Sequence, residues 1–76
     1  MDAEAAKMLA IGLSMGLGMI GPGLGLGLIG YSALQGVARN PDARGPILTF
    51  MILAAGLTEA VSIYVLIIAI ILAMVI

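Results

Sequence analysis

A single carboxyl, Glu59, stands in the stretch Ile52-Leu53-Ala54-Ala55-Gly56-Leu57-Thr58-Glu59-Ala60-Val61-Ser62-Ile63-Tyr64-Val65-Leu66, inside an apolar run long enough to cross a bilayer. A charged Asp-type residue at the centre of a membrane helix costs about 3 kcal/mol on insertion scales, so an acid in such a place marks a functional site by default. Low dielectric favours its neutral, protonated form; a partner charge or an aqueous pocket favours the charged form. The chemistry open to it is exchange of a proton between those two states. The blander role is that of a neutral hydrogen-bond donor holding helices together. On a helical wheel Ile52, Ala55, Gly56, Ser62, Ile63 and Leu66 lie within roughly 60° of the carboxyl, so Ser62 alone offers a polar side-chain atom on that face. Tyr64 projects elsewhere, with a side chain long enough to reach a neighbouring helix.

The rest of the chain must hold that group in lipid. Of 76 residues, 63% are hydrophobic and 9% charged, and the mean hydropathy is +1.29. A soluble domain of this size has too little interior to hide so much apolar surface, so lipid is the expected solvent. The net charge is −1 and the three basic residues are scattered, which gives no footprint for nucleic acid. Without Cys there is no disulfide, thiol nucleophile or thiolate metal site, and without His the commonest metal ligand and general base are missing. No metal, cofactor or catalytic centre is expected. Met1-Asp2-Ala3-Glu4-Ala5-Ala6-Lys7 is mixed in charge where a secretory leader is basic, and the sequence reads as mature, with no second, soluble domain.

The pattern predicts an all-α membrane hairpin: a first span over 3–38, a polar loop over 39–45 and a second span over 46–76. In water the glycines of the first span, with Pro22, would argue against a helix; in lipid the backbone must bond internally, so the helix survives and glycine takes on a packing role. Gly12, Gly16, Gly23, Gly27 and Gly30 fall on one smooth stripe, while Ser14, Gly18, Gly21, Gly25, Ser32 and Gly36 form another roughly 180° away. Two opposed small faces imply close neighbours on both sides, as in a ring of identical helices; alternatively, the second stripe receives the chain's own second helix. Pro22 is expected to bend the helix near mid-membrane, and Gly21 and Gly23 leave no bulky wedge beside it.

Asn40-Pro41-Asp42 is a turn signal, Gly36 can serve near the end of the first helix, and Pro46 suits the first turn of the second. Arg39 and Arg44 in the loop, against Lys7 flanked by Asp2 and Glu4, place the loop in the cytoplasm and both termini outside. Counting back from the turn sets Glu59 level with Gly25, between Gly23 and Gly27, the thinnest part of the first helix.

Three motifs in order, Gly21-Pro22-Gly23-Leu24-Gly25-Leu26-Gly27, Gly36-Val37-Ala38-Arg39-Asn40-Pro41-Asp42 and Glu59-Ala60-Val61-Ser62-Ile63-Tyr64, resemble the rotor-ring c subunit of F-type ATP synthase, the proteolipid, over nearly the whole chain. The resemblance implies a homo-oligomeric ring in the bacterial inner membrane, first helices inside and second helices outside, packed through Gly16, Gly21, Gly23, Gly25, Gly27 and Gly30. It implies that Glu59 takes up an ion from one half-channel of the stator's a subunit, carries it around and releases it beside a stator arginine. Ser62, Tyr64, Gly25 and Leu26 are then candidate supports of the proton site. Arg39, Asn40, Pro41 and Asp42 are similar to the loop that meets the gamma and epsilon subunits of the central stalk, although the family more often has Gln where this chain has Asn40.

Sodium-driven members carry Gln or Glu at the position matching Leu26 and a hydroxyl residue at the position matching Ala60. Both are apolar here. A sodium ion wants several oxygen ligands and a proton only the carboxyl with one acceptor, so the expected cargo is the proton. Two other classes compete with the rotor: a holin-like pore in which Glu59 only pins helices, and a small multidrug exporter, which 4% aromatic residues serve poorly.

Overall fold

In the computed structural model, which describes residues 1–75, the chain is all helix and turn. The first helix, α1 (Ala3–Gly18), starts where Asp2 caps it, with its Oδ1 accepting the Ala5 N–H at 2.8 Å and Glu4 beside the positive helix end. At Met19 the helix breaks, with φ −86° and ψ −11°, and α2 runs from Ile20 to Arg39. The cause is Pro22. It has no N–H for the carbonyl of Gly18, and its ring crowds that same carbonyl four residues back, so the irregularity lies ahead of the proline and not at it. Bonds on either side, Met19 N–H to Met15 O at 3.1 Å and Gly23 N–H to Met19 O at 2.9 Å, keep the two segments one continuous rod.

The turn is tighter than the seven-residue loop 39–45 expected from composition. Arg39 is the last residue of α2, and Arg44 and Gly45 already belong to α3 (Arg44–Val75). Between them stand only Asn40, driven out of the helical region to φ −141° and ψ 81° as a residue before proline tends to be, and a 3₁₀ turn over Pro41–Ala43. Pro46 is tolerated in the first turn of α3 because N–H groups there have no intrahelical acceptor, and the Thr49 hydroxyl donates to the Gly45 carbonyl at 3.0 Å. Gly36 stands near the end of the first span, whose last residue is Arg39, and its carbonyl accepts the N–H of the capping residue Asn40 at 3.0 Å. Ile76, included in the predicted second span, lies outside the described residues.

The two spans pack antiparallel through three notches. A methyl group placed on Gly18 would stand 2.7 Å from Val65 Cγ1, one on Gly25 would stand 3.3 Å from Thr58 Cγ2, and one on Gly36 would stand 3.2 Å from Ile47 Cδ1. The three pairs share one register: seven residues separate Gly18 from Gly25 and Val65 from Thr58, and eleven separate Gly25 from Gly36 and Thr58 from Ile47. The second small-residue stripe is therefore divided. Gly18, Gly25 and Gly36 receive the chain's own second helix, whereas Gly21 and every glycine of the first stripe stay open, with nothing within 4 Å of an added methyl. Of the two alternatives that the sequence pattern leaves, neighbours or the chain's own helix, the second stripe serves the chain's own helix along one edge and leaves the other free.

Among the described residues only Pro22, Ala33 and Ala69 are buried, while Leu24 is 65% exposed and Leu57 67%. Large side chains left outside on both helices, over segments of 37 and 35 residues each apolar enough to cross a membrane, are stable only where lipid is the solvent. A hairpin 59 Å long and 18 Å wide has no other interior to offer them.

Candidate functional site

Glu59 sits on α3 at the level of Leu24, because Thr58 is opposite Gly25 in the shared register. Counting from the expected loop gives Gly25 for that level, one residue away, since the turn, 40–43, is centred half a residue before Asp42. Around the helix, Thr58 points at the first span, and Glu59, the next residue, lies roughly 100° further round, on the flank of the hairpin. Its side chain is exposed. The facing stretch from Ile20 to Leu28 contains only Ile, Gly, Pro and Leu, so no side chain of the first span offers the carboxyl a charge or a hydrogen bond at this depth.

One hydroxyl does reach it. Ser62 Oγ donates to Glu59 Oε1 at 3.3 Å, from one turn further along the same helix; a donor at i+3 shares the face of the acceptor. The Thr58 hydroxyl, although adjacent in sequence, is committed elsewhere, donating to the Ala54 carbonyl at 2.9 Å. Tyr64 lies roughly 140° round the helix from Glu59, is 64% exposed, and is not brought to the carboxyl within one protomer. Gly25 lies close by, but its notch is filled by the Thr58 methyl. Leu26 is half-buried and presents only hydrocarbon. Of the four candidate supports, then, the fold joins Ser62 to Glu59 directly and brings Gly25 to the level of the carboxyl through Thr58.

Thr58 is the residue that sequence reasoning misses. A β-branched residue beside the acid looks like ordinary membrane packing, and its meaning depends on which glycine it meets. At the far end, Arg39, Asn40, Pro41 and Asp42 are all exposed at the tip of the hairpin, roughly 22 Å along the axis from Glu59 by helical rise. Gly16, Gly23, Gly27 and Gly30 lie on the open face.

The molecule is thus a two-span hairpin with a lone carboxyl midway along α3 and an open glycine face on the side of the first span turned away from α3. Among known families, the one described as the C subunit of ATP synthase matches residues 9–72. The chain belongs to the ATP synthase c-subunit family. The ATP synthase c subunit of Dehalococcoides mccartyi (strain CBDB1) is 51% identical over 72 residues, covering 95% of each chain. The second ATP synthase c subunit of Syntrophotalea carbinolica is 44% identical over 71 residues, covering 93% of this chain and 81% of the relative. The chloroplastic ATP synthase c subunit of Diacronema lutheri is 46% identical over 66 residues, covering 87% and 80%. Family membership makes the chain a membrane component of the ATP synthase complex and a ring-forming helical hairpin. The family that the three sequence motifs resemble is the one to which the chain belongs.

Proposed function

We propose that the chain is the proton-carrying, non-catalytic rotor component of an F-type ATP synthase, with Glu59 as the group that binds and releases the proton. The observation that supports this most is a solitary carboxyl, midway along an apolar helix, with one hydroxyl in reach and no countercharge from its own hairpin. Protonated, such a group tolerates lipid; deprotonated, it does not, and it must remain where a stator supplies water or a positive charge. Rotation in one sense is then gated by protonation, as a shift between two populations. The partners of this cycle are other copies of the chain in the ring and the stator's a subunit, whose half-channels load and unload Glu59.

Glu59 lies on the flank of the hairpin, where a neighbouring copy or the stator has access to it. Ser62 is positioned to orient the carboxyl by donating to Oε1. Tyr64, on the opposite flank, supports the proton site only from another copy of the chain. The cargo is the proton and no cofactor is required: Leu26 and Ala60 contribute no oxygen, and among the described residues Ser62 is the one hydroxyl found on the carboxyl, which leaves too few ligands for sodium. The exposed tip, Arg39 to Asp42, faces the cytoplasm and docks on the gamma and epsilon subunits of the central stalk, with both termini on the other side of the membrane.

The test is Glu59→Gln in the assembled complex. Coupled proton transport is lost while the ring still forms; transport surviving in that variant refutes the role of the carboxyl. A carbodiimide labels Glu59 in the unmodified ring faster as the pH falls, and protection by sodium would assign the site to sodium instead.

A further inference from the structure

Three notches hold the hairpin together, and one of them differs from the other two in what it is attached to. The Gly36 notch receives Cδ1 of Ile47, the far end of a flexible side chain. The Gly18 notch receives Val65, six residues beyond the carboxyl. The Gly25 notch receives Cγ2 of Thr58, the residue covalently next to Glu59. Moreover, the methyl of Thr58 is not free to turn aside. Its side chain is β-branched, and its hydroxyl donates to the Ala54 carbonyl at 2.9 Å, which fixes χ1 in the rotamer that aims the methyl at Gly25. A push on that methyl is passed to the backbone of α3 at the residue next to the one that carries the carboxyl.

From this we infer that Thr58, seated in the Gly25 notch, is the positioning residue of the proton site: it sets the rotation of α3 about its own axis and so keeps Glu59 on the flank, not against the first span. The inference rests on the proposed role of Glu59. Its chemistry is steric. The Thr58 hydroxyl has no role toward the proton, and the facing residues Ile20 to Leu28 contribute no titratable group, so position is the only property of the first span that acts on the carboxyl here. On α3 itself the only other titratable group near this depth is Tyr64, on the opposite flank.

The experiment measures the pH profile of carbodiimide labelling of Glu59 in membranes containing the complete ATP synthase, with ring assembly followed in parallel. Gly25→Ala places a methyl 3.3 Å from Thr58 Cγ2 and forces a small displacement of α3 at that level. Labelling at a fixed neutral pH then slows about threefold, the scale expected when reacting groups are misplaced by a fraction of an ångström. Gly25→Ala combined with Thr58→Ser removes the opposing methyl and restores the original rate. Thr58→Val keeps the shape without the hydroxyl and labels like the unmodified chain. Gly36→Ala perturbs the hairpin where the contact is not coupled to the carboxyl and leaves the profile unchanged.

An unchanged rate in Gly25→Ala, a defect that persists in the double variant, or an equal shift in Gly36→Ala overturns the inference. If Gly25→Ala does not assemble, rescue of assembly by Thr58→Ser with labelling equal to that of Thr58→Val supports it, and failure of that rescue overturns it. Absence of Glu59 labelling in the unmodified ring at any pH would instead remove the proposed function.

Discussion

Glycines of one helix do two different jobs in this molecule. Gly18, Gly25 and Gly36 are closed: each admits a side chain of α3, and together they set how near the two spans lie. Gly12, Gly16, Gly23, Gly27 and Gly30 are open, with empty space where a side chain would be. The same residue type, at helical spacing in both sets, is used inside the hairpin in one case and left for whatever lies outside it in the other. In lipid the distinction matters because helices gain nothing from hiding apolar surface and associate through close van der Waals contact. A closed glycine is therefore a determinant of the protomer's shape. An open glycine leaves room for a neighbouring helix to come close.

That contrast is breakable. The largest effect on the protomer belongs to Gly18→Ala, whose methyl would stand 2.7 Å from Val65 Cγ1; about 2 kcal/mol of hairpin stability is lost, in the range of core overpacking. Thermal unfolding of the purified protein in detergent measures this loss, and Val65→Ala in the same chain recovers most of it. If Gly18→Ala unfolds at the original temperature, the closed set does not hold the hairpin together.

Gly23→Leu or Gly27→Leu tests the open set. Nothing within the protomer opposes the new side chain, so the isolated hairpin keeps its helix content and stability within about 0.5 kcal/mol, as substitutions away from tight contacts do. The ring, in contrast, fails to close or closes with another copy number, read from particle images of the detergent-purified assembly. Unaltered rings in both variants would detach the open stripe from assembly. The smallest effect is expected for Gly36→Ala: Ile47 Cδ1 at 3.2 Å swings aside at a cost below about 1 kcal/mol, typical of an off-rotamer side chain. A loss as large as that of Gly18→Ala would mean that the flexibility of the opposing side chain does not set the cost.

Much of this molecule is legible residue by residue. Asn40-Pro41 identifies the turn because the residue before a proline is driven out of the helical region, and the long apolar runs on either side leave only helices as spanning structures. Glu59 and its hydroxyl partner Ser62 can be paired from their spacing alone, since i and i+3 share a helix face. The three motifs are enough to point to the ATP synthase c-subunit family. Gly36 is legible as a residue near the helix end, where its carbonyl accepts the Asn40 N–H, but its second role, making room for Ile47, depends on the other helix. The break falls at Met19 and not at Pro22 because the sequence identifies the residue lacking an N–H, whereas the strain falls on the carbonyl four residues earlier.

The sequence by itself determined the membrane as solvent, the number of spans, the position of the turn and the identity of the acid, because composition, periodicity and proline geometry are local properties that each segment carries alone. Tertiary structure alone decided that Gly25 meets Thr58, that Glu59 is level with Leu24 on the flank of the hairpin, and which glycines remain open. Those facts depend on how one helix is rotated and registered against the other, and that choice is made only when two surfaces distant in the chain find the packing that brings their backbones closest.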